Sequence, residues 1–384
     1  MAAERPGPSQ APASGARAAP RQVMHIITKG ERGGAQTHVR TLCQALAARV
    51  AFSAVIGGTD VRPPLEQELH ALGLPVYRVP SLRNSLAPWH LYRSVVAVRR
   101  LIHAHDPDVL HAHSAVAAVV ARIAGKLSRT PVVYTVHGFA FKPEAPRGRR
   151  TVAWCCEWLL APWTTRMVCV SRHEQHLARR LPIPTERLAV VPNAIEDSPH
   201  RAHGGSAPLS IVMVARLAAP KRPDLLLHAM ARLRDALGRE VPISLIGDGP
   251  DRAALETLAT QLRLQRLVFA GEADDVPRRL AEHSIFVLLS DHEGLPISVI
   301  EAMRAGLPIV ASDLPGLGEL MPSPEQGFRV PNDPVAIATV LEQLANSPAL
   351  RDRLGQAARA HYEQAYTPER MASSILAIYD EALP

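Results

Sequence analysis

One pattern occurs twice along this chain: a short run of consecutive apolar residues, a loop, and then a stretch of helical length. The first half reads VMHIIT, AFSAVIGG, PVYRVP, DVLHAH and PVVYTVHG, with helices expected near residues 36–48, 64–72, 89–104 and 115–127. The second half restarts at SIVMVARL and continues through ISLIGDG, LVFAG, IFVLLS and LPIVAS, with helices expected near 223–237, 252–261 and 276–282. Runs such as VVYTV lack the alternation of a half-exposed strand. Continuous apolar runs suit parallel strands covered on both faces. Between the halves, VVPNAIEDSPHRAHGGSAPLS is rich in Pro, Gly and Ser and reads as a linker. At 384 residues the chain is also too long for one ordinary core. The expectation is therefore two doubly wound α/β domains facing each other across a cleft. Their bounds are a first domain over 21–195, a linker over 196–208, a second domain over 209–365 and a last helix within 366–384, after a tail over 1–20. Ligands of such sheets bind beyond the carboxyl ends of the strands, so the chemistry is expected in the loops there.

Composition narrows the class. The tail MAAERPGPSQAPASGARAAP has no apolar segment, so it makes a poor signal peptide and is expected to be disordered. No run of eighteen apolar residues occurs, so no membrane-spanning helix is expected. Cys43, Cys155, Cys156 and Cys169 show no ligand spacing and read as free thiols of a reducing cytoplasm. Charge is uneven. Residues 1–200 carry 25 Lys and Arg against 13 Asp and Glu, whereas residues 201–384 carry 18 against 23. A basic first half points to an anionic partner: nucleic acid, an acidic membrane face or a phosphate-bearing lipid. With aromatics at 4% and no interleaved basic-aromatic module, nucleic acid is disfavoured.

The strand-exit loops hold the candidate site. Gly33 and Gly34 lie between the first strand and the first helix, where a backbone can approach an anion at a helix N-terminus; a tight turn without ligand is the alternative. The loop matches neither a dinucleotide fingerprint nor a Walker loop. Arg216 and Lys221 flank the equivalent loop of the second half and could neutralise a diphosphate, or simply be solvated. Gly247 and Gly249 make a tight turn at the next strand end. The stretch SDHEGLPISVIEAMRAG carries Glu293 in a loop and Glu301 in the second turn of a helix, with Pro296 suited to its first turn. Two such acids can accept from sugar hydroxyls, and amides around Gly294, Leu295 and Ile297 suit phosphate. A hydrolytic carboxylate pair and plain helix capping are the alternatives.

Glu293 and Glu301, with seven residues between them, resemble the hallmark of retaining glycosyltransferases of family 4, which have the GT-B fold of two facing Rossmann-like domains. Gly33-Gly34, TVHGF, VVPNAIE and Arg216 with Lys221 match that family in order, over nearly all of residues 22–380. The likeness is greatest to bacterial enzymes that build exopolysaccharide, capsule or O-antigen. It implies a nucleotide diphosphate sugar as donor, UDP by default, and a lipid-linked or growing saccharide as acceptor. The expected roles follow. Glu293 holds hydroxyls of the transferred sugar, Glu301 holds the ribose, and Arg216 and Lys221 bind the leaving diphosphate. The Gly34 amide reaches the same phosphate, and His137 sits over the sugar. Transfer occurs with retention, by same-face attack without a long-lived covalent intermediate. Many members have Gly where this chain has Pro296; lacking an amide there, Leu295 and Ile297 must supply the donors. The family also implies that the last helix returns to the first domain. A nucleotide-sugar 2-epimerase and a non-catalytic binding subunit of a polysaccharide assembly complex are the rival functions.

No metal or cofactor is expected. His103 and His105 end a helix, and His111 and His113 end a strand with no Cys or carboxylate completing a site. Asp106-Pro107-Asp108 precedes a strand and reads as a turn. His137 stands at a strand end beside Gly138, where a functional role competes with that of a core histidine. Finally, the basic run RGRR leads into TVAWCCEWLLAPW, either a helix lying on an anionic membrane or a buried one. Arg83, Arg93, Arg99 and Arg100 in the same domain favour peripheral contact with the inner face of the cytoplasmic membrane.

Overall fold

A computed structural model describes residues 22–58, 62–141, 147–203, 205 and 207–383. The tail expected over 1–20 lies outside the described residues. Two all-parallel sheets form. The first contains β1 (Gln22–Ile27), β2 (Ala51–Gly57), β3 (Val76–Val79), β4 (Val109–Ala112), β5 (Val132–Val136), β6 (Arg166–Cys169) and β7 (Leu188–Val190), in the order β3-β2-β1-β4-β5-β6-β7. The second contains β8 (Ile211–Val214), β9 (Ile243–Ile246), β10 (Leu267–Gly271), β11 (Ile285–Leu288), β12 (Ile309–Ser312) and β13 (Gly327–Val330), in the order β10-β9-β8-β11-β12-β13. Every residue of β4, β5, β11 and β12 is buried, as the continuous apolar runs require of strands covered by helices on both faces.

Each sheet order reverses once, between β1 and β4 and between β8 and β11. At such a switch point neighbouring crossovers run to opposite faces and leave a crevice at the carboxyl edge. The loops leaving β1, β4, β8 and β11 therefore surround the crevices of the two domains.

The second domain has its own core around Phe286, Leu288, Val299 and Val310. The last two helices divide between the domains. Pro348–Ala365 packs on Ile297–Ala305 of the second domain. Pro368–Ala382 crosses back and lies on the first-domain helix Gly34–Leu46. Pro368 opens that helix at its first turn, where a missing N–H costs nothing. Its buried positions Met371, Ala372, Ile375, Leu376, Ile378, Tyr379 and Ala382 recur at helical spacing and join the first-domain core. Tyr379 Oη meets His111 Nδ1 at 2.7 Å, so the seam is also hydrogen-bonded.

Ile375→Ala should lower the unfolding free energy by about 2–5 kcal/mol, the usual cost of emptying a packed aliphatic site. The exposed neighbour Ser374→Ala should stay within about 0.5 kcal/mol of wild type. Urea titration of both variants checks this; equal midpoints would separate the helix from the core.

Candidate active site

The two switch points face each other. Gly34 is the first residue of its helix and Ile297 the first of the helix Ile297–Ala305. A Cβ built on Gly34 would stand 3.7 Å from Ile297 Cδ1, so the two helix N-termini meet. Neither first turn carries an acid, so their free amides and dipoles present uncompensated positive potential at one place. Below them, Gly294 is wedged between two backbones. A Cβ there would come 2.6 Å from the carbonyl oxygen of His137, and a Cβ on Gly316 would strike the carbonyl of Gly294.

Side chains close the same seam. Asn193 of the linker donates Nδ2–H to the Leu295 carbonyl at 2.8 Å. Its Oδ1 stands 3.1 Å from His38 Nδ1. A carbonyl can only accept, so the Asn193 amide nitrogen must face Leu295 and its oxygen must face His38; His38 then donates from Nδ1. Glu319 of the second domain accepts from the backbone amides of Arg172 and His173 at 2.6 and 2.7 Å. Arg32 pairs with Asp274 across the outer rim. Sequence reasoning singled out neither His38 nor Glu319, because their partners lie 155 and 147 residues away. Asn193 was in view only as part of the VVPNAIE segment.

The acids and bases sort into distinct states. Arg216 is exposed and its side chain has no hydrogen-bond or ion-pair partner among the described residues. Its neighbour Arg222 is occupied instead by Asp224 at 2.8 Å and Asp291 at 3.1 Å. Lys221 forms an ion pair with Glu293, the two side chains being 18% and 10% exposed. The expected phosphate cation and the expected sugar acid therefore hold each other. Glu301 is half-buried beside Arg304 and Arg40; burial pushes its carboxyl up, and the two guanidiniums pull it back. Gly247 takes φ +129, a conformation that only glycine adopts at ease, and a Cβ on Gly249 would strike the Leu217 carbonyl. These two glycines let the loop after β9 interlock with the loop carrying Arg216.

Residues 32–199 match the family described as Glycosyltransferase Family 4, and residues 201–361 match Glycosyl transferases group 1. This chain belongs to glycosyltransferase family 4. It is 28% identical, over 66% of its length and 70% of the other, to the UDP-Gal:alpha-D-GlcNAc-diphosphoundecaprenol alpha-1,3-galactosyltransferase of Escherichia coli. It is 27% identical to the O-antigen biosynthesis glycosyltransferase WbnH of Escherichia coli, covering 78% of this chain and 84% of that protein. The fold is GT-B. Anabaena Alr3699/HepE, solved in complex with UDP-glucose, superposes with a TM-score of 0.77 at 22% identity, covering 92% and 98% of the two chains.

Two expectations for this glycosyltransferase change in detail. Its first helix begins at Gly34, two residues before the expected start, which makes Gly34 part of a helix N-terminus. Pro296 is not in the first turn but precedes it, with ψ at 123°, so the helix opens on Ile297. The sequence offers no Cys or carboxylate to complete a set with His111 and His113; the fold brings other histidines to them instead. His25, His38 and His137, from three other stretches of chain, gather around them. Strand order, invisible in the sequence, brings them together: His25 on β1 is the register partner of His111 on β4.

Gly294→Ala should push the His137 carbonyl and the loop after β11 apart, since an added Cβ would come 2.6 Å from that oxygen. Strain of this kind costs about 1–3 kcal/mol. The test is urea unfolding; a variant as stable as wild type would mean that the seam is not packed as described.

Proposed function

We propose that this glycosyltransferase moves a hexose or N-acetylhexosamine from a nucleotide diphosphate sugar, UDP-sugar in the first instance, to a lipid-linked or growing saccharide of the cell surface. Transfer would retain the anomeric configuration and need no metal. The observation that carries the proposal is the junction of two acid-free helix N-termini at Gly34 and Ile297, with unpaired Arg216 in the loop after β8, which bridges the β11 exit loop through Lys221 and Ser290. Such an arrangement suits a diphosphate. The Escherichia coli galactosyltransferase named above, whose name joins UDP-Gal to a diphosphoundecaprenol acceptor, supports the choice of donor and of acceptor class.

In this reading an acceptor hydroxyl attacks the anomeric carbon from the face on which the diphosphate departs. The bond between that carbon and the β-phosphate oxygen breaks, its electron pair leaves with UDP, and the hydroxyl proton passes to the departing phosphate. Charge develops on the diphosphate, and Arg216, Lys221 and the amides of Gly34 and Ile297 oppose it. Glu293 orients the sugar hydroxyls and sets the position of Lys221 through their ion pair. Glu301 accepts from the ribose, and His137 lines the sugar. The turns at Gly247, Gly249, Gly294 and Leu295 shape the donor pocket.

The first domain would also meet an anionic membrane. Helices Pro88–His105, Ala115–Ser128 and Arg147–Leu160 pack side by side on one face of its sheet. Their only acid among the described side chains is Glu157, buried against Arg122 at 2.7 Å. Trp89 and Tyr92 are each 62% exposed, and Trp158 is 49% exposed beside Leu159 and Val152. Arg93 lies over the Trp89 ring, 5.4 Å from its centroid, and Arg100, Lys126 and Arg147 are exposed nearby on the same three helices. Aromatic rings at headgroup depth with arginines on lipid phosphates fit this surface. No helix among the described residues is long and apolar enough to cross a membrane.

Arg216→Ala combined with Lys221→Ala should cut turnover of UDP-sugar by roughly 100-fold or more while the fold persists, as for other losses of preorganised charge. The same wild-type assay should keep its rate in EDTA. Near-normal turnover of the double variant would remove the diphosphate argument, and loss in EDTA with rescue by Mg²⁺ or Mn²⁺ would overturn metal independence.

Arg93→Ala with Arg100→Ala should weaken binding to phosphatidylglycerol vesicles by roughly 30-fold, at about 1 kcal/mol per arginine. Co-sedimentation measures it; a wild-type chain that ignores anionic vesicles would overturn the membrane reading.

A further inference from the structure

Five histidines converge beneath the cleft and form two sets. His25, His111 and His113 lie inside the sheet, fully buried. His111 gives both ring nitrogens to neighbours, Nδ1 to Tyr379 Oη and Nε2 to Thr135 Oγ1, each at 2.7 Å. His25 Nδ1 meets His113 Nε2 at 2.8 Å. With His111 fully engaged, this inner set is a hydrogen-bonded core.

The outer set of His38, His113 and His137 is different. Asn193 fixes the His38 tautomer with the proton on Nδ1, which leaves Nε2 as a bare lone pair, buried and without a partner. His113 Nδ1 and His137 Nε2 stand 3.5 Å apart. That is long for a hydrogen bond between ring nitrogens. It is close to the edge of a tetrahedron around zinc, roughly 3.3 Å for Zn–N bonds of about 2.0–2.1 Å. One ring nitrogen from each of the three lies within 4.8 Å of the other two. Drawing such a triangle onto a metal moves each nitrogen inward by about 1 Å or less.

We propose that His38, His113 and His137 form a three-histidine site for a borderline divalent transition metal, Zn²⁺ or Co²⁺, with the fourth position on the cleft side. His137 is the one partly exposed member, so entry is from the cleft. Asn193 behind His38 and His25 behind His113 supply the outer hydrogen bonds that orient metal-binding imidazoles. Burial keeps the three rings neutral at physiological pH: it lowers His38 to about 4 and holds His113 and His137 well below the ordinary histidine range. Imidazole nitrogen selects Zn²⁺, Co²⁺ or Ni²⁺ over the oxygen-seeking Mg²⁺. The site stands apart from the donor reading, except that both use His137. On that reading, a bound metal would withdraw the ring from the sugar.

The experiment titrates the full chain with Co²⁺ and reads the visible d–d absorption of a four-coordinate ion. The expected result is saturation near one equivalent, displacement by Zn²⁺, removal by EDTA and no effect of Mg²⁺. His38→Gln and His137→Gln should each lower Co²⁺ affinity by roughly 100-fold or more, beyond what loss of an outer partner costs. Exposed His103→Gln should leave the band unchanged, and thermal unfolding confirms that each variant folds. No band, or a band that survives both His38→Gln and His137→Gln, overturns the site. Because absorption is read without turnover, a failed transfer assay leaves this result intact.

Discussion

A backbone contact at Gly294 limits how closely the two domains approach. Gly294 lies between the His137 carbonyl of one domain and Gly316 of its own, and the Ile297 side chain packs against Gly34 nearby. No other residue type fits at Gly294 without moving a carbonyl, so the loop after β11 and the loop after β5 have one relative position when closed. Around that point the cross-domain contacts are few and mostly polar: Asn193 with Leu295, Glu319 with Arg172 and His173, and Arg32 with Asp274. The apolar cores of the two domains are largely separate. An interface of this kind lets domains move relative to each other at far lower cost than unfolding either one.

The charges at the cleft follow the same economy of contact. Lys221 and Glu293 are both largely buried, and each would be costly there alone. Paired, they are neutral as a unit and wait beside Arg216, the cation left unpaired. An arriving diphosphate would add negative charge next to this pair, which frees Glu293 to accept from hydroxyl groups. Arg222, six residues on from Arg216, is equally basic but spends its donors on Asp224 and Asp291, so it fixes the loop instead. Position along the chain does not separate these two cations; their partners do.

That distinction marks where the sequence stops being readable. The strands that form continuous apolar runs were legible, because parallel strands buried on both faces read that way, and the helices assigned between them were legible to within about two residues; the short strands β6, β7 and β13 and the helices Arg172–Ala178, Pro334–Asn346 and Pro348–Ala365 were not. The placement of Arg216, Lys221 and Glu293 in loops after strands, and of Glu301 in the helix that follows, was legible too. Contacts between distant segments were not. The Lys221–Glu293 pair spans 72 residues. The His-Ala-His spacing of His111 and His113 gives no sign of the histidines packed around it, because those come from β1, the first helix and the exit of β5. Only the reversal of strand order between β1 and β4 makes them neighbours. The final helix shows the same limit, since its apolar stripe declares burial but not against which domain.

Asn193 ties the cleft to the histidines. Its amide nitrogen needs the Leu295 carbonyl, which belongs to the second domain, while its oxygen orders His38 in the first. The bare lone pair on His38 Nε2 therefore depends on a carbonyl of the second domain, through a single carboxamide at the junction of the two domains.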